Sequence, residues 1–232
     1  MSNPTALIVG VGDGLSGSLA RLLRQNGFHL ELAARNPDKL GALASETGAN
    51  THACDATDAD QIEALFSAIQ GDLRVVIYNP SARQRAPLVD LDPEKVRHAI
   101  DVTAFGAFLV GQQATRRLLD NDPANGVRGT ILFTGASAGV KGFPLSAPFA
   151  MGKFAQRGLA ESMSRELHPQ GIHVAWINID GGIRNPGSSE AADRPDSMLD
   201  PDAIARTYLS LIQQDRSAWS NEISVRPWVE KF

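Results

Sequence analysis

Cysteine is almost absent from these 232 residues: Cys54 stands alone. An internal disulfide and a cysteine-based metal cluster are therefore excluded. The five histidines, at 29, 52, 98, 168 and 173, form neither an HxH nor an HExxH pattern, so no metal site is expected. No apolar run reaches the roughly 18 residues of a membrane helix, so no membrane span is expected. There is no basic surplus either: 22 Lys and Arg stand against 26 Asp and Glu, a formal net charge of −4. Without a basic run, that balance leaves no electrostatic footprint for nucleic acid. The opening MSNPT has no charged or apolar leader region, so a secretory signal is not expected and the cytoplasm is the default location.

What is present suits one α/β domain over 1–232, with 43% hydrophobic and 21% charged residues. The organising stretch is ALIVGVGDGLSGSLA, Ala6–Ala20. Ala6-Leu7-Ile8-Val9 is too short for a helix and branched enough for a buried strand. Glycines follow at 10, 12, 14 and 17, then Leu15, Leu19, Leu22 and Leu23 at helical spacing. Strand, glycine turn and helix form the context in which such a motif cradles a nucleotide pyrophosphate on free N–H groups. Gly12–Gly17 is a literal GxGxxG, but it starts three residues after the strand. The register beginning at Gly10 is preferred, with Gly14 second and Ser16 in place of the last glycine. A merely flexible surface turn is the alternative, and the flanking elements weigh against it.

Alternating elements continue along the chain. Strands are expected at Phe28–Ala34, Thr51–Cys54, Arg74–Tyr78, Gly129–Gly135 and Ile172–Ile179, with a short one in the tail Glu222–Phe232, which also carries Trp228. Helices are expected at Lys39–Thr47, Ala59–Ile69, Pro93–Leu119, Pro148–Leu167 and Pro201–Gln214. Gly106 and Gly111 inside the long stretch mark close packing. Asn121–Arg128 reads as a loop. Arg184–Leu199, rich in Pro, Gly, Ser and Asp and without period, reads as a mobile lid. The pattern implies parallel βαβ units and a doubly wound sheet.

The order of landmarks resembles the short-chain dehydrogenase/reductase family over nearly the whole chain. Gly10, Gly14 and, imperfectly, Ser16 match its glycine turn; Ala53-Cys54-Asp55 resembles its adenine-binding Asp segment. Tyr78-Asn79-Pro80-Ser81 resembles its Asn-Asn-Ala-Gly segment, and Asp180-Gly181-Gly182-Ile183 its nicotinamide turn. Lys153 stands where the family's active-site lysine would. The resemblance implies a Rossmann-like parallel sheet of about seven strands with helices on both faces. It also implies a nicotinamide cofactor, a carbonyl or alcohol substrate, and a homodimer or homotetramer built on the long helices. Phe105, Phe108, Phe154 and Trp228 are the apolar residues such assembly would cover, though core packing also explains them.

The departures are in the catalytic positions. Four residues before Lys153, the family's tyrosine is Phe149 here; thirteen before that, its serine is Ala136, with Ser137 alongside. The family's asparagine position, counted from Gly106 in DVTAFGAFL, is Thr103. Loss of a positioned general acid costs about 10²–10⁴ in rate. The pattern resembles an atypical subgroup with Phe for the tyrosine and the lysine retained. Ser137, Ser146 and Asp180 are candidate substitutes, but helix capping or exposure is favoured for the two serines and a turn role for Asp180. Ser146, three before Phe149, shares its face if the helix already runs there.

The remaining candidates concern binding. Gly10, Val11, Asp13, Gly14 and Leu15 would contact the cofactor's phosphates and ribose, and Asn79, Ser81 and Ile183 would line its path. Asp55 reads as an adenine contact or a helix N-cap. Arg35 follows Ala34, the position where an acid would select a free ribose hydroxyl, so NADP is expected over NAD, with Asp13 as an opposing charge. Lys153 would donate to the ribose. Arg83, Arg85, Arg184 and Arg194 lie on loops expected to flank the cleft and suggest an anionic small-molecule substrate. Three readings stay open: an oxidoreductase with an incomplete tetrad, a cofactor-binding protein without turnover, and non-redox chemistry on the same scaffold.

Overall fold

The computed structural model describes residues 3–230. Met1 and Ser2 of MSNPT, and Lys231 and Phe232 of the tail, lie outside the described residues. The strands are β1 (Thr5–Val9), β2 (His29–Ala34), β3 (Asn50–Ala53), β4 (Leu73–Tyr78), β5 (Gly129–Thr134), β6 (Ile172–Ile179), β7 (Gly182–Ile183), β8 (Met198–Leu199) and β9 (Glu222–Val225). The helices are α1 (Leu15–Gln25), α2 (Gly41–Thr47), α3 (Ala59–Ala68), α4 (Pro93–Ile100), α5 (Gly106–Leu119), α6 (Ala147–Leu167) and α7 (Pro201–Ile212). Seven strands make one parallel sheet in the order β3-β2-β1-β4-β5-β6-β9.

The central strands are apolar throughout because both of their faces are covered. Every residue of β1, β5 and β6 is buried. Alternate side chains feed two cores. Leu7, Val9, Val76, Phe133 and Trp176 pack with Phe66 of α3, Val110 of α5 and Ala160 of α6. Ala6, Ile8, Ile77, Leu132 and Ile177 pack with Leu19 of α1, Leu43 of α2 and Tyr208 of α7. The edge strand β3 is largely exposed, and its sequence is correspondingly polar. No helix among the described residues is long and apolar enough to cross a membrane.

Three segments differ from the expected elements. Lys39–Thr47 is divided, with a 3₁₀ turn over Pro37–Leu40 before α2. Pro93–Leu119 is helical but not one α-helix: a π turn, Asp101–Phe105, joins α4 to α5. Its carbonyls are claimed from outside the helix. The Tyr78 hydroxyl donates to Val102 O, and Gln156 Nε2 donates to Thr103 O at 3.1 Å. Arg184–Leu199 is not wholly irregular. Its ends are stitched by the short β7–β8 pair, and the Glu190 carboxylate accepts from the Asp196 and Met198 amides at 2.8 and 3.0 Å.

Gly106 opens α5 directly against β4. A Cβ there would lie 2.5 Å from the Tyr78 hydroxyl and 2.6 Å from Ala56 O. Gly111 meets Met163 and Phe133, so both glycines pack closely, as the sequence suggested. Gly106→Ala is expected to destabilise the chain by about 1–3 kcal/mol in urea unfolding. Gly158→Ala, in α6 with nothing within 4 Å, is expected to gain about 0.5–1 kcal/mol.

Candidate active site

A cavity of about 1380 Å³ opens at the carboxyl ends of β1, β4, β5 and β6. The turn after β1 forms one wall. Gly10 has φ +83°, and a Cβ on it would strike Pro80 at 2.5 Å, so only glycine serves there. α1 begins after Gly14 with no side-chain cap, which leaves its first amides for an anion. Ser16 is buried in the missing glycine's place. Its Oγ donates to Gly10 O at 3.2 Å and accepts from Asn79 Nδ2 at 2.7 Å. The serine thus ties the turn to the end of β4. The turn's geometry and free amides fit a dinucleotide pyrophosphate.

Lys153 lies at the cavity floor with only 2% of its surface exposed. Its Nζ donates to Thr134 O and, at 3.1 Å, to Gln156 Oε1. Burial, helped by the Arg83 charge, pushes the amine down to about 7. Gln156 is fully buried, and its Oε1 also accepts from Trp176 Nε1 at 3.2 Å. This side chain joins Lys153 on α6, Thr103 in the π turn and Trp176 on β6. Sequence reasoning missed it, although its position three residues after Lys153 puts both on one helix face. Thr103 itself is fully buried outside the cavity lining, its Oγ1 accepting from Ala82 N at 3.2 Å.

Phe149, Ala136, Ser137 and Ser146 all line the cavity. Ser137 and Ser146 offer hydroxyls with no partner among the described residues. Ser146 is the N-cap of α6, one residue before Ala147 begins the helix, so it does not share a helical face with Phe149. The Arg83 guanidinium lies over the Phe149 ring, 4.3 Å from its centroid. Asp13, Leu15, Asn79, Ser81 and Ile183 complete the wall among the sequence candidates.

Other candidates fall elsewhere. Asp180 is buried beside Arg226 at 3.4 Å and is not part of the lining. Arg35 and Asp55 follow β2 and β3, beyond the cavity. Asp55 Oδ1 accepts from Thr57 N at 2.9 Å and Thr57 Oγ1 at 2.8 Å, and these bonds hold its carboxyl below the usual range, with help from the Arg35 charge. The cap of α3 is Asp58. Two expected cleft arginines do not reach the cavity: Arg184 pairs with Asp200 at 3.3 Å, and Arg194 is exposed on the outer loop. Arg83 and Arg85 do line it, as do Asn185 and Pro186 from the loop after β7.

A parallel sheet of this order, with a glycine turn opening its first helix, defines a dinucleotide-binding Rossmann-type fold. A family model described as short chain dehydrogenase matches residues 4–190. The chain belongs to the short-chain dehydrogenase/reductase family of NAD(P)-dependent oxidoreductases. It is 25% identical over 234 residues to an uncharacterized oxidoreductase of Staphylococcus aureus strain N315, covering 98% of each. The crystal structure of a short-chain dehydrogenase from Rhodopseudomonas palustris superposes with a TM-score of 0.81 and 32% identity, over 97% of this chain and 99% of that one. A metagenomic short-chain oxidoreductase solved with NADP gives a TM-score of 0.83 and 25% identity, over 99% of both chains.

The buried amine has a thermodynamic signature. Lys153 releases its proton near 7 in the folded chain and near 10.5, the ordinary lysine value, in the unfolded one. Between those values the unfolded state holds the extra proton, so stability rises with pH across the window. Lys153→Met should flatten that rise by up to about 1.4 kcal/mol per pH unit in urea unfolding. An identical slope in both proteins would contradict the burial of a charged-state-disfavoured amine.

Proposed function

We propose that this chain is an NADP-preferring oxidoreductase that interconverts a small carbonyl compound and its alcohol with an altered set of catalytic groups. The observation that carries this reading is the buried Lys153 amine at the floor of a cavity whose other wall is the glycine turn. Bound nicotinamide would supply hydride exchange with the substrate carbon. The chain's part is to bind and orient. The Gly10–Leu15 turn and the start of α1 hold the pyrophosphate, and Lys153 holds the ribose. Asn79, Ser81 and Ile183 flank the cofactor; Asp55 meets the adenine. The segment 184–199 acts as the lid. The whole of 1–232 acts as one domain, in the cytoplasm.

Phe149 and Ala136 supply no hydroxyl, which supports membership of a divergent subgroup of the family. A water held by the unpartnered Ser137 and Ser146 hydroxyls would deliver the proton to the carbonyl oxygen and return hydroxide to solvent. Arg83 and Arg85 favour an anionic substrate. The missing hydroxyls also support a second reading, a cofactor-binding protein without turnover.

Arg35 follows β2 with Ala34, not an acid, before it, which favours a 2′-phosphate. NADPH should bind more tightly than NADH in fluorescence titration, and Arg35→Ala should shrink the difference by about tenfold or more. Equal affinities before and after substitution would remove Arg35 from the cofactor site.

Phe149→Tyr with Ala136→Ser should raise NADPH oxidation by carbonyl substrates by about 10²-fold or more. A hydroxyl on residue 149 would sit one helical turn from Lys153, and the serine would add a second donor. Intact NADPH binding without turnover in wild type and double variant would favour the second reading.

The exposed faces of α5 and α6 support self-association. Phe105 and Phe108 stack at 6.0 Å between centroids, and Met151 and Phe154 are 53% and 44% exposed. These four, and Trp228 in the tail, are surface residues in the isolated chain rather than core. Light scattering should give a homodimer or homotetramer, and Phe108→Glu with Phe154→Glu should shift it towards monomer.

A further inference from the structure

The geometry points to a carboxylate seat formed by Arg83 over Phe149, so that the substrate is a carbonyl or hydroxy acid with an apolar body. This inference rests on the oxidoreductase reading for the substrate's reactive group but not for the seat itself. The Arg83 guanidinium lies 4.3 Å above the Phe149 ring centroid and has no acidic partner among the described residues. The Arg83 guanidinium makes no hydrogen bond among the described residues, so its N–H donors stay available to a ligand. A planar fork of that kind matches a carboxylate bidentately. Phenylalanine suits this arrangement, since its ring provides the platform without a hydroxyl competing for the same space.

The surroundings favour an anion with an apolar body. Arg85 adds a second cation to the lining, also without an acidic partner among the described residues. Asp13 is the lone acid among the lining residues, and it belongs to the glycine turn, where its charge reaches Arg21 of α1. The chain as a whole is acidic, at −4, so this wall runs against the general balance. A concave site of one sign concentrates ligands of the other. Beside the arginines stand Phe143 and Leu145, each 43% exposed and both in the lining. Ala86 N donates to Leu145 O at 3.2 Å, which joins the arginine loop to this apolar one. Leu145 holds φ +62°, a conformation costly for a branched side chain and maintained here by the joined loops.

The test uses the full chain and two probes of equal shape, trans-cinnamate and trans-cinnamamide, measured by titration calorimetry with and without NADP. The carboxylate should bind about tenfold to a hundredfold more tightly than the amide. Arg83→Gln should abolish that preference. Arg83→Lys should restore only part of it, because the ammonium keeps the charge but not the fork. NADPH affinity should not fall in Arg83→Gln, because removing the Arg83 charge only eases protonation of Lys153. Equal binding of acid and amide would overturn the seat, as would an Arg83→Gln variant that keeps the preference. A loss of NADPH affinity in its place would assign Arg83 to the cofactor and also overturn it. NADPH oxidation with phenylpyruvate is followed separately. Carboxylate preference without any oxidation supports the seat while retiring the oxidoreductase reading. Oxidation by neutral aldehydes with no carboxylate preference retains that reading and overturns the seat.

Discussion

The site depends on how one buried amine is accommodated. Lys153 is inside the protein, and an unpaired polar group there costs several kcal/mol, on the order of 2–7. Thr134 O at the end of β5 and Gln156 Oε1 satisfy it. Those two bonds fix the register of α6 against the sheet. Gln156 then spends its amide on Thr103 O, and the π turn in the central helix follows from carbonyls drawn outward by Gln156 and Tyr78. Gly152 completes the fit, since a Cβ there would press on the Thr103 side chain at 2.8 Å. The helix carrying Lys153, the helix carrying Thr103 and the central strands are therefore one coupled unit. Burial that brings the amine near 7 also makes its protonation responsive to whatever fills the cavity.

The same logic links the glycine turn to the opposite wall. Ser16 replaces a glycine yet weakens nothing visible, because its hydroxyl is absorbed by Gly10 O and Asn79. On that wall the Phe149 ring carries the Arg83 guanidinium over its face. The sheet and its two cores keep the architecture of the family.

Strands were legible where both faces are covered, because burial writes continuous apolar runs: Ile172–Ile179 is β6 to the residue. The glycine turn was legible because its conformations admit few other residues. The π turn was not, since a change of helical pitch at Asp101–Phe105 depends on donors from β4 and α6. Gln156 escaped notice because glutamine has no chemistry of its own to advertise, and only the fold places it between three elements. Arg83 over Phe149 unites residues 66 positions apart, and no periodicity records such a contact. Arg184 and Arg194 illustrate the reverse case: loop charges looked functional, but an ion pair with Asp200 and an outward position account for them.

The central claim is that the Lys153 amine meets a nicotinamide cofactor in this cavity. It is tested most directly by following the Lys153 side-chain NMR signal through a pH titration, in the free chain and with NADPH added to saturation. The expected result is a transition near 7 in the free chain, together with a shift of that signal when NADPH binds. A Lys153 signal that titrates at the ordinary lysine value, or that saturating NADPH leaves unmoved, would contradict the account.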